Sequence, residues 1–186
     1  MKLPGVLPVG LALGLMAAAG AYAQIPVRPA SIVNPTAAKP LLTFGVMTDL
    51  EKHLDERISA VGGAEPLVLL GPARALYLAG YGAVVTQEVS LAITPTINPF
   101  QPKITPQDVA RVHQKKVERI PLLKQLMPQM WVSTAETLNM VPDTEQIVVA
   151  VRLLYKSWED TKGLPGQIVL RGTRGAGLAG VQTEEQ

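Results

Sequence analysis

Over residues 146–156 the chain divides its side chains by parity. Ile147, Val149, Val151, Leu153 and Tyr155 fall on one face, and Val148, Ala150, Arg152, Leu154 and Lys156 on the other. A period of two is the signature of a β-strand, and the β-branched content agrees with it. "QIVLRGT" at 167–173 supplies a partner strand after the Gly/Pro loop "EDTKGLPG". Upstream, "PLVLL" and then "ALYLAGYGAVVTQEVSL" at 75–91 carry further strand pattern. From Tyr81 onward, Tyr81, Ala83, Val85, Val89, Leu91 and Ile93 share one face, with Val84, Thr86, Glu88 and Ser90 on the other. Gln87 breaks the inward row and needs hydrogen-bond partners if it is buried. A straight strand through this stretch would span about 50 Å at ~3.3 Å per residue, longer than ordinary strands. Gly80-Tyr81-Gly82 is therefore read as a turn or a glycine bulge that pairs "RALYLA" with "AVVTQEVSL". The alternative is that Tyr77 and Tyr81 form an exposed platform for a ligand.

Two segments repeat instead at helical spacing. Leu50, Leu54, Ile58 and Val61 follow Thr48 and Glu51, which read as a capping box, and Gly62-Gly63 stops the element; this predicts an amphipathic helix over 49–61. After a proline-rich loop at 94–103, Thr105-Pro106-Gln107-Asp108 has the N-cap, the N1 proline and the first-turn acid of a helix start. Val109, Val112, Ile120, Leu123, Met127 and Met130 continue the period, while Pro121 and Pro128 each remove a backbone donor. Two or three helical pieces are expected up to about Asn139. The order of elements predicts an α+β fold, an antiparallel sheet covered on one face by a kinked helical segment.

The first 23 residues change the picture of where this domain works. Lys2, an apolar stretch over 6–19 and Ala21-Tyr22-Ala23 before Gln24 match a cleaved secretory signal peptide, with an uncleaved membrane anchor as the alternative. Pro26, Pro29, Pro35 and Pro40 make 24–46 an extended Pro-rich tether. One domain is expected over 47–171, followed by a glycine-rich flexible tail over 172–186. Without Lys2 the chain holds 16 Lys+Arg against 15 Asp+Glu, close to neutral and without the basic stripe that nucleic acid would require. The absence of cysteine excludes disulfides, thiolate metal sites and cysteine nucleophiles. The expected partner is an envelope protein, with membrane contact only through a retained N-terminus.

Candidate chemistry is sparse. "GAGLAG" at 175–180 satisfies G-x-G-x-x-G, but six residues remain after it, too few for the helix and strand of a dinucleotide site. His53 and His113 form no His-x-x-x-His pair, so no metal and no cofactor is expected. No G-x-S-x-G elbow is present. The loop "YKSWEDTKGLPGQIV" offers the best recognition feature, because Trp158 combines apolar area with an N–H donor beside Glu159 and Asp160. As adjacent loop acids, Glu159 and Asp160 are expected to point apart into solvent. The binding residues expected are thus Tyr77, Tyr81, Trp158, Glu159 and Asp160, with no catalytic residue assigned.

"YLAGYGAVVTQEVSL" and "VVAVRLLYKSWEDTKGLPGQIV" resemble a group of uncharacterised exported bacterial proteins of acidobacterial type, over most of 67–171. The resemblance implies a periplasmic, envelope or secreted setting and carries no activity. A non-catalytic exported protein that acts by binding or as an assembly subunit is the function expected. The alternative is a small periplasmic hydrolase whose site gathers Glu88, His113 or Glu159 from distant parts of the chain.

Overall fold

Where β4 (Gln146–Leu153) lies beside β3 (Gly82–Ser90), the two strands run parallel, Gly82 opposite Gln146 and Val89 opposite Leu153. Every other pairing in the sheet is antiparallel. The computed structural model describes residues 42–100 and 103–186. The leader expected over 1–23 and most of the expected tether lie outside them. The order across the sheet is β1 (Val68–Leu69), β3, β4, β5 (Gln167–Thr173) and β6 (Gln182–Glu185), with β2 (Arg74–Leu78) also paired to β3. The fold is α+β, as expected, but the sheet is mixed. A helix returns the chain from the end of β3 to the start of β4, and such a crossover yields a parallel neighbour.

The two helices cover one face. α1 (Phe44–Ala60) packs on β1 and β2, and α2 (Pro106–Thr137) on β4 and β5. Between them and the sheet lie Leu50, Leu54 and Ile58, Leu123, Met127, Met130 and Trp131, and the inward rows Ala83-Val85-Val89 and Ile147-Val149-Val151-Leu153. Trp131 Nε1 donates to the Ile147 carbonyl at 2.9 Å, which ties α2 to β4 at a buried point.

α1 begins a turn earlier than the Thr48–Glu51 pattern predicts. Thr43 is the N-cap and accepts from Val46 N at 3.4 Å; Thr48 sits inside the helix and donates to the Phe44 carbonyl at 3.0 Å. Val46 and Met47 pack against the core and draw the extra turn into the helix. Residues 44–46, expected as the end of the tether, are thus helical. α2 starts as expected, with a reciprocal Thr105–Asp108 capping box. Contrary to expectation it runs unbroken for 32 residues through Pro121 and Pro128. Val117 and Lys124, whose carbonyls lose their N–H partners to the two prolines, are exposed, so water can take the place of the missing donors.

Gly80-Tyr81-Gly82 is a hairpin turn. Leu78 pairs with Gly82, and Tyr81 N bonds the Leu78 carbonyl at 3.0 Å. Gly82 has φ +128°, and a Cβ there would stand 1.9 Å from the Gln146 carbonyl oxygen, so no side chain fits where β3 meets β4. The segment expected as a flexible tail is instead built into the sheet. Two short 3-10 turns, Arg174–Ala176 and Leu178–Gly180, lead to β6, which pairs with β5 from Arg171↔Gln182 to Ile168↔Glu185. Gly175 N bonds the Asp143 carbonyl at 2.9 Å, in a gap that a Cβ would fill at 2.7 Å from Asp143 Cβ. Gly175 thus serves close packing, and Gly177, at φ +60°, serves a turn between the two 3-10 segments.

Candidate binding site

Helical periodicity puts two cations of α2 on its apolar stripe. Four residues after Val112 comes Lys116, and the next turn carries Arg119 beside Ile120. Both are buried, so each must find partners within the protein. Arg119 donates to the Leu91 carbonyl at 2.9 Å and to Glu65 Oε2 at 2.8 Å; Lys115 pairs with the same carboxylate. Hydrogen bonding by Lys115, above all, holds Glu65 below the usual carboxylate range, against a smaller opposing effect of desolvation.

Lys116 reaches the Glu159 carboxylate, and the side chains of the pair are 1% and 2% exposed. Its ammonium lies 4.8 Å from the centroid of the Tyr155 ring. Tyr155 in turn donates its hydroxyl to the Pro165 carbonyl at 2.7 Å. Burial first, and the Glu159 charge second, push the Tyr155 phenol up to about 12. A cavity of about 290 Å³ opens above this group, walled by Val68, Leu70, Ile93, Leu154 and Tyr155, with Glu159 and Lys156 at its polar end. Its rim is unusually apolar for a surface: Ile93 is 68% and Leu70 49% exposed.

The recognition loop expected around Trp158 is thus part of the site through Glu159, one of the residues expected to bind, and through Tyr155 and Lys156, but not through Trp158 or Asp160. Trp158 is half-buried and stands apart from the main apolar core. Glu159 and Asp160 do point apart, but only Asp160 is exposed. Expected in solvent, Glu159 is drawn inward because Lys116 needs a counter-charge. Asp160 shapes the loop, accepting from Lys162 N at 2.9 Å, and its carbonyl meets His113 Nδ1 at 2.9 Å. A carbonyl only accepts, so Nδ1 of His113 carries the proton.

Tyr77 and Tyr81 form no shared platform. Tyr81 stands exposed at the hairpin tip, whereas Tyr77 faces the helix-covered side with its hydroxyl and Glu145 Oε2 both buried, without a hydrogen bond of regular geometry. Burial, then the adjacent Glu145 carboxylate, hold the Tyr77 phenol above its ordinary value. The other oxygen of Glu145 accepts from Gly80 N at 3.0 Å and clasps the hairpin. Gln87, the polar residue in the inward row, donates to Asp55 Oδ1, and that same oxygen accepts from Ala73 N at 2.9 Å.

The three residues of the hydrolase reading do not assemble. Glu88 lies on the uncovered face of the sheet, paired with Arg152 at 3.6 Å, while His113 and Glu159 are on the helix side with different partners. His53 Nε2 accepts from Arg57 Nε at 2.9 Å. Among the described residues no His, Asp and Glu side chains converge in a set able to hold a metal ion, and no helix is long and apolar enough to cross a membrane. No protein-family model, curated protein or solved structure matches the chain.

Proposed function

We propose that this protein is a non-catalytic exported domain of the bacterial periplasm or envelope, and that it works by receiving an apolar group of a partner protein in the Tyr155–Glu159 cavity. The observation that carries the reading is a cavity whose buried acid, Glu159, is already paired with Lys116 while its apolar rim stays open. Exposed apolar surface bordered by polar groups is characteristic of interaction sites. Glu159 and His113, the groups best suited to acid–base work, are both engaged in holding the loop to α2. The leader pattern of the first 23 residues supports export.

A photoreactive residue at position 93, compared with one at position 103, tests the proposal in the native envelope. The expected result is a discrete cross-linked partner from position 93 only, which excess unlabelled wild-type protein competes away and unlabelled Ile93→Asp does not. Identical patterns from both positions, or equal competition by the two proteins, would refute it. Because Ile93 is largely exposed, Ile93→Asp should keep the melting temperature of the wild type.

A further inference from the structure

The face of the sheet opposite the helices carries a trough of about 470 Å³. Its floor is small, Thr86 and Ala150, and arginines stand on both sides: Arg74 on β2 and Arg152 on β4. The registers Arg74↔Thr86↔Ala150 and Glu88↔Arg152 set these residues in two adjacent cross-strand rows of that face. β2 and β4 are two strand spacings apart, about 10 Å, a distance that two long side chains leaning inward can close. Both guanidinium groups are only loosely held. Arg74 stands 3.9 Å from Glu51, and Arg152 3.6 Å from Glu88, with the arginine side chains 71% and 68% exposed. Glu51 is already committed to Ala75 N at 2.8 Å. By contrast Arg119, on the covered side, sits 2.8 Å from its acid.

We propose that this trough is a second binding site, separate from the apolar cavity, for a small ligand bearing two oxyanion groups, carboxylate or phosphate, that bridges Arg74 and Arg152. A planar guanidinium offers paired donors to either kind of oxyanion; Arg152 gives up only a loose, half-exposed carboxylate, and Arg74 only a 3.9 Å contact with Glu51 of α1, an acid that keeps its bond to Ala75 N. The exposed Thr86 hydroxyl lies between the two arginines as a further donor, and Ala150 leaves room for the body of the ligand. Glu88 is the competing group. The whole chain carries a formal net charge of only +2, so diffuse attraction of anions by the molecule as a whole is small.

Calorimetric titration of the full chain with citrate and, separately, with tripolyphosphate tests the site. Binding of either supports it, and the better of the two identifies the oxyanion as carboxylate or phosphate; binding of neither overturns it. Arg74→Gln and Arg152→Gln should each weaken binding at least tenfold at unchanged melting temperature. Glu88→Gln should tighten it several-fold, and Lys124→Gln, on the helix side, should leave it unchanged. Arginine variants that bind like the wild type, a Lys124 variant that loses as much as they do, or a Glu88 variant that binds more weakly would each refute the assignment.

Discussion

The two faces of this sheet are made by alternate residues of the same strands, and they treat polar groups in opposite ways. On the covered face Lys116 meets Glu159, Arg119 meets Glu65, Gln87 meets Asp55 and Trp131 meets the Ile147 carbonyl, each on another element. On the open face Arg152 stands 3.6 Å from Glu88 on the neighbouring strand, and Arg171 2.9 Å from Glu184, every partner well exposed. The difference follows from solvent. A charge under a helix has no water to return to, so its partner becomes part of the fold; a charge on the open face can exchange its partner for water or a ligand at little loss. Charged groups beneath the helices therefore report on architecture, and those on the open face on recognition.

The strongest challenge to that contrast is Lys116→Met, which leaves the Glu159 carboxylate buried without a counter-charge. A loss of about 3–5 kcal/mol is expected in urea unfolding. The double variant Lys116→Met/Glu159→Leu removes both charges and should recover most of the loss, since an apolar replacement of a buried pair is often neutral. A single variant that costs under about 1 kcal/mol would mean that water reaches the pair, and the two faces would then differ only in degree.

Gly82 sharpens the comparison, because it occupies an open-face position that should nevertheless tolerate no side chain. Both Gly80 and Gly82 have positive φ, but a Cβ at Gly80 would meet nothing within 4 Å, whereas at Gly82 it would strike the Gln146 backbone. Gly80→Ala is expected to cost about 1 kcal/mol, from conformation alone. Gly82→Ala adds overpacking against an immovable strand and should cost about 2–4 kcal/mol. Equal losses in the two variants would show that β3 and β4 can part at that end.

These contrasts also explain which parts of the molecule were legible in the sequence. The alternation of 146–155, the hairpin at Gly80-Tyr81-Gly82 and the Thr105–Asp108 helix start are local patterns, and the structure follows each of them. The parallel pairing of β3 and β4, the unbroken course of α2 and the addition of β6 depend on what a segment packs against, which local pattern does not record. "GAGLAG" misled for that reason: Gly175, which packs against Asp143, and Gly180, which packs against Ala176, give the segment the same composition as a mobile tail. At the candidate site Trp158 and Glu159 attracted notice as loop residues, while Lys116, Tyr155 and Arg119 did not. The clue to the two cations was their place in the 112–116–119–123 stripe of α2, where a Lys or Arg obliges some distant acid to be its partner.

Alkaline pH probes the covered face more gently. Burial, and then the Glu159 charge, push the Tyr155 phenol up to about 12 in the fold, above the ordinary value for a phenol, so folding favours its neutral form. Its contribution to stability is complete below pH 10 and is lost as pH rises toward 12. Partial exposure to solvent keeps the effect below that of the buried pair. Tyr155→Phe should flatten the fall in unfolding free energy between pH 10 and 12, while its value near neutrality changes by no more than the lost hydrogen bond to Pro165, about 1 kcal/mol. An unchanged alkaline slope would assign that fall to other groups.

The smallest effect is expected on the open face itself. Leu76 is 58% exposed and points away from both helices, so Leu76→Ser should move the unfolding free energy by less than about 0.5 kcal/mol. Leu54→Ser, at the same chemistry under α1, should cost at least about 2–5 kcal/mol. The ratio matters more than either value. If Leu76→Ser approached the cost of Leu54→Ser, the open face would be covered in solution, and its arginines would be paired with whatever covers it rather than available to a ligand.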